Sequence, residues 1–204
     1  MKKKGFMLLS MLMVLVLSVG ICSAKGKSVE EQAAAQQQAT LAKVQQANAL
    51  CDKFVCRYDE EAKAYTFVPK PDVLGRLSGK AAALIPSVSY AEKDGKVSFH
   101  LLFSYAGLDF LGFTEVALDT NGKSFAFAVP EGASTQETAT GFVTEDYAAT
   151  FEGDLIDDIY DGATATDGKS VLRLTGKDTV ERELNAYDKA VLKEAVELYR
   201  ALKK

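Results

Sequence analysis

The sequence predicts an α+β protein in which an antiparallel β-sheet, a meander of hairpins, is flanked by an N-terminal helix and a C-terminal amphipathic helix. Three observations indicate this fold: an Ala- and Gln-rich segment without Gly or Pro before residue 50, strict alternation from Val97 to Tyr105, and an apolar stripe at helical spacing near the C-terminus. A β-sandwich-like sheet is the alternative.

The first 24 residues have the pattern of a secretory signal. Lys2, Lys3 and Lys4 precede an uncharged apolar run at residues 6–21, which ends in small residues. The run is shorter than the roughly 20 residues that span a hydrocarbon core. We therefore expect export to the periplasm or the medium, with no membrane span in the mature chain.

Two processing alternatives remain at the end of this signal. Cleavage after Ala24 would use Cys22 and Ala24 as its small residues and leave Lys25 as the first residue. Alternatively, Cys22 is lipidated as in a bacterial lipoprotein and anchors the chain to a membrane. Ile21 favours the first alternative, because a small residue precedes the cysteine in lipoprotein signals.

The mature chain is acidic. The signal holds three of the 24 Lys and Arg residues and none of the 28 acids, which leaves 21 basic residues against 28 acidic ones and a net charge of −7. Nucleic-acid binding needs clustered basic residues, so this composition argues against it.

After the signal we expect an Ala/Gln-rich helical spacer at residues 25–50 and one globular α+β domain at residues 51–204. Within the spacer, only the part from about Leu41 has a face suited to burial. The domain begins with a predicted hairpin from Phe54 to Pro69, followed by a short helix that starts at Asp72 and is ended by Pro86.

Residues 87–129 have the strongest β pattern. The turn pairs Asp94-Gly95 and Asn121-Gly122 separate strand-like runs, and Gly107 precedes a further run. We expect a four-stranded antiparallel meander here, followed by a polar loop at residues 130–140. Aromatic residues in this region, such as Phe99 and Phe103, are expected to fill the core.

Two more strands are predicted around the runs GFVTEDYAATF and SVLRLTG, on either side of an acidic segment. The chain then closes with a helix from about Ala186 to Leu202, capped by Asn185 and Asp188. Its apolar stripe needs a partner surface, and the open face of the sheet is the obvious one.

Cys51 and Cys56 form an even pair in a chain predicted to be exported, so we expect a disulfide that closes a short loop. Two buried thiols are the alternative. A metal or redox role is disfavoured by the spacing and by the presence of a single histidine, His100.

The acidic segment from Glu152 to Asp161 is the best candidate for a site. Its carboxylates could gather a calcium ion, and the weak candidate ligands are Asp154, Asp157, Asp158 and Asp161. Apolar residues at near-helical spacing instead favour a short helix with a solvated acidic face. His100 lies on the polar side of a strand, without a recognisable nucleophile motif nearby.

No catalytic residue and no cofactor is predicted. The leading hypothesis is a non-enzymatic binding or interaction module of the bacterial cell envelope, whose partner, a protein or a small ligand, contacts the exposed sheet or the N-terminal helix. The alternatives are an exported hydrolase that uses carboxylates of residues 152–161 and a carrier of a small apolar ligand.

Overall fold

The structure is a computed structural model that describes residues 29–120, 122–139, 141–165 and 168–204. Its elements in chain order are α1 (Val29–Ala49), β1 (Phe54–Asp59), β2 (Ala64–Pro69), α2 (Pro71–Ser78), β3 (Ala82–Ala91), β4 (Val97–Gly107), β5 (Glu115–Thr120), β6 (Lys123–Ala128), β7 (Thr135–Ala139), β8 (Phe142–Phe151), α3 (Asp154–Thr164), β9 (Ser170–Thr175), β10 (Thr179–Glu183) and α4 (Ala186–Lys203). The predicted α+β class is confirmed.

All strand pairs are antiparallel and form two sheets. The larger sheet has six strands in the order β1-β2-β3-β4-β8-β7, and the smaller has four in the order β10-β9-β5-β6. One cluster of buried side chains joins residues of both sheets and all four helices. The two sheets therefore share a core.

Helix α4 packs on β3 and β4, as the apolar stripe predicted. It covers what we call the inner face of the six-stranded sheet, where Phe99, Leu101 and Phe103 are at most 1% exposed. The ring of Tyr199 meets Phe99 edge-on at 6.1 Å. The predicted cap is confirmed, because Asn185 and Asp188 form a complete capping box at the start of α4.

Helix α1 is only partly buried. Residues 30–39 are exposed, whereas Thr40, Val44 and Ala47 are buried against the rest of the protein. The helix contacts α4 and β1. Burial thus begins close to the predicted position, although Leu41 itself is 40% exposed.

The predicted helix from Asp72 to Pro86 is wrong in its second half. Helix α2 ends at Ser78, and β3 runs through Pro86. Residues 82–86 are all buried, so the run is apolar on both faces and suits a strand. Proline is tolerated because β2 pairs with β3 only from Val88 onward, so Pro86 has a strand on one side alone.

The four strands of residues 87–129 do not form one meander. β3 and β4 belong to the six-stranded sheet, whereas β5 and β6 belong to the four-stranded sheet. Residues 108–114 carry the chain between them. The fully buried carboxylate of Glu145 on β8 fixes this crossing, because it accepts hydrogen bonds from the backbone N–H groups of Gly112 (2.8 and 2.9 Å) and Phe113 (3.4 Å).

Part of the predicted loop at residues 130–140 is a strand. β7 pairs with β8, and all five of its residues are exposed. Because β7 has no buried face, it lacks the apolar alternation by which a strand is recognised in sequence. In the described part of the chain, none of the helices is long and apolar enough to cross a membrane.

Candidate functional site

The second face of the six-stranded sheet, which we call the outer face, is polar at its centre. Along β4, half-buried side chains alternate with the buried ones and point to the outer face; they are Ser98, His100, Leu102 and Ser104. Their register partners on β8 include Thr150 and Ala148, both exposed. These side chains remain accessible to a partner.

His100 links three strands on this face. Its Nε2 lies 2.9 Å from Ser89 Oγ on β3, and its Nδ1 lies 2.9 Å from Thr150 Oγ1 on β8. Burial lowers the pKa of the imidazole below its ordinary value, which favours the neutral ring. A neutral ring can accept from one hydroxyl group and donate to the other.

The distance from Ser89 to His100 is that of a nucleophile and its base, but the surroundings lack the rest of such a site. A hydroxyl group holds Nδ1, where hydrolases of this kind place an orienting carboxylate. β4 pairs with strands on both sides along this stretch, so its backbone N–H groups are committed to the ladder. These N–H groups of β4 are therefore not free to form an oxyanion hole.

Two large apolar side chains are exposed at one end of the six-stranded sheet. Leu108 is 75% exposed and Phe142 is 60% exposed, the first and third most exposed of the large apolar side chains described. Gly107 pairs with Val143 in the antiparallel register, so Leu108, which follows β4, and Phe142, at the start of β8, lie at the same end of this strand pair. Sequence reasoning missed this patch, because only the pairing of β4 with β8 brings the two residues together.

The acidic segment forms helix α3, and its carboxylates point to different partners. Asp157 pairs with Arg200 on α4, Asp158 pairs with Lys123 on β6, and Glu152 lies 3.1 Å from Lys96. Ile156 and Ile159 are buried beneath them. In the described residues no group of three or more His, Cys, Asp or Glu side chains, including the candidates Asp154 and Asp161, is arranged to hold a metal ion.

Cys51 and Cys56 are free thiols in the structure, and the disulfide between them stays a prediction. Cys51, at the end of α1, is buried and its thiol lies 3.3 Å from the carbonyl oxygen of Ala47. Burial, together with the charge of Glu194, raises the pKa of Cys51 to about 12, and burial raises the pKa of Cys56 to about 11. Each thiol is therefore protonated and poorly nucleophilic at neutral pH.

The predicted signal at residues 1–24 and the candidate lipidation site Cys22 lie outside the described residues. Comparisons of the chain with protein-family models, with curated proteins and with solved structures found no match.

Proposed function

We propose that the protein is a non-enzymatic binding module of the bacterial cell envelope, and that the outer face of the six-stranded sheet is its contact surface. The observation that carries the proposal is that two large apolar side chains, Leu108 and Phe142, are exposed at the same end of the β4–β8 strand pair. Exposed apolar side chains that cluster at one place, rimmed by polar groups, are a feature of protein interaction sites.

The composition of the outer face fits a protein partner. Interfaces combine a few large apolar anchors with polar groups that hydrogen-bond around them, and aromatic anchors supply much of the binding free energy. Phe142 and Leu108 have the character of anchors. Ser98, His100 and Ser104 supply the polar groups on the neighbouring strand.

The hydrolase alternative receives less support from the geometry. Paired-carboxylate hydrolysis needs two carboxyl groups that face each other across a bond. Asp157 and Asp158 instead form ion pairs with cations on two different elements. The apolar-carrier alternative is also less favoured, because Phe99 and Phe103 are fully buried and fill the space beneath α4.

Site-specific photocrosslinking in the native host tests the contact surface. A photoreactive phenylalanine analogue replaces Phe142 in one variant and, as a matched control, Tyr58 in another, since Tyr58 is a 42% exposed aromatic residue on β1 at the opposite edge of the sheet. We expect a discrete crosslinked species from position 142 and none from position 58. Equal crosslinking from both positions, or none from position 142, would contradict the proposal.

A further inference from the structure

A buried ionic cluster lies where α4 begins, away from the outer face. The side chain of Asp188 is only 2% exposed and accepts hydrogen bonds from Lys80 Nζ at 2.7 Å and from Arg182 Nη1 at 2.6 Å. Burial alone would raise the pKa of Asp188, but the hydrogen bonds from Lys80 and Arg182 outweigh it and lower the pKa. Asp188 is thus ionised, and two cations meet one carboxylate.

Arg182 uses only one end of its guanidinium group in this cluster. Its Nη1 binds Asp188, whereas Nε and Nη2 are buried and have no hydrogen-bond partner among the described residues. These two nitrogens carry the parallel N–H groups along one side of the guanidinium plane. Buried donors without an acceptor are costly, about 1–3 kcal/mol each.

We propose that the free side of Arg182 is a binding site for a small oxyanion such as phosphate or a carboxylate group. Two parallel N–H donors match two oxygens of such a group, which is the bidentate geometry in which arginine binds carboxylates and phosphates. A bound anion also neutralises the excess positive charge of the cluster.

The cluster reaches the surface, since the side chains of Arg182 and Lys80 are 14% and 23% exposed. The nitrogens Nε and Nη2 are themselves covered. An oxyanion therefore enters by displacing a neighbouring side chain, so binding is coupled to a local rearrangement at the edge strand β10.

Thermal unfolding of the full mature chain tests the proposal. Phosphate and, separately, acetate are titrated at constant ionic strength against chloride. We expect a saturable rise in the unfolding midpoint with at least one anion. Arg182→Lys keeps the charge but loses the paired donors, so its apparent affinity for that anion should be weaker by at least about tenfold. A response to both acetate and phosphate indicates a general oxyanion site. A response to only one of them identifies the class of anion that the site binds.

Because phosphate stabilises many proteins by exclusion from their surface, the difference between variants is the readout. Lys193→Met, which removes an exposed cation that pairs with Glu197, is the control and should respond like the unaltered protein. If Arg182→Lys does not fold, an NMR titration of the unaltered protein serves as the test instead. The Nε–H resonance of Arg182 should shift saturably with the anion, whereas that of the exposed Arg57 should not. Equal responses of the unaltered protein and Arg182→Lys, or an unmoved Arg182 resonance, would overturn the proposal.

Discussion

A single buried polar residue, Glu145, helps to hold the two sheets together. Glu145 is fully buried in β8, and its carboxylate receives the backbone N–H groups of Gly112 and Phe113 in the segment that crosses between the sheets. The alternation of Val143, Glu145 and Tyr147 places an acid on the apolar face, which is the one signal in the sequence that could have revealed this role.

Glu145→Ala leaves the two N–H donors without their acceptor, so we expect the free energy of unfolding to fall by about 1.5–3 kcal/mol, the range for hydrogen bonds to a charged group. Glu152→Ala is the matched control. It removes an exposed ion pair with Lys96 and should change the free energy by less than about 1 kcal/mol. Urea denaturation of both variants measures the difference, and equal effects would show that the crossing segment does not depend on Glu145.

His100 gives the stability a defined pH dependence. Because burial lowers the pKa of the folded imidazole, the unfolded chain binds the proton more readily. The stabilising contribution of His100 to the free energy of unfolding is fully present above the ordinary pKa near 6.5. It is lost as the pH falls through the lowered pKa that His100 has in the folded state. We expect the unfolding midpoint of the unaltered protein to fall more steeply below pH 6.5 than that of His100→Gln. Parallel curves would show that His100 is not coupled to folding.

Among the elements, those with a regular apolar pattern were predicted well and those without one were not. The stripe of α4 predicted both the helix and its packing, and the turn at Asp94-Gly95 predicted the hairpin of β3 and β4. β7 has no buried face to reveal it, and the buried run that begins β3 gives no periodicity to separate a strand from a helix. The proposed contact surface depends on strand pairing between distant segments, which a single sequence does not encode locally.

Helix α1 divides into an exposed first half and a packed second half, and two alanines on it test this division. Ala47 is 2% exposed and Ala39 is exposed. We expect Ala47→Asp to destabilise the fold by at least about 3 kcal/mol, because it buries an unpaired charge. Ala39→Asp should have little effect. Thermal unfolding compares the two variants, and a similar loss in both would contradict a solvated first half.

At the scale of the whole molecule, the two sheets share a core with α4 packed on the larger sheet, the outer face of β4 is half-buried, and the first half of α1 is exposed. Helix α1 lies beside the turn between β3 and β4, where Gln36 and Lys43 line a groove of about 750 Å³ with Glu92 and Lys93. The patch of Leu108 and Phe142 lies at the other end of β4. A chain tethered through its N-terminus would therefore present this patch away from the tether.

The proposed role in the cell envelope depends on export, so the intact mass of the protein recovered from a bacterial host that processes the full-length chain is the most direct test. We predict a mass that starts at Lys25, for a soluble exported protein, or a mass that starts at an acylated Cys22, for a lipoprotein anchored to a membrane by the acyl chains on Cys22. A mass that still includes Met1 and the apolar run at residues 6–21 would contradict export and, with it, the proposed function in the envelope.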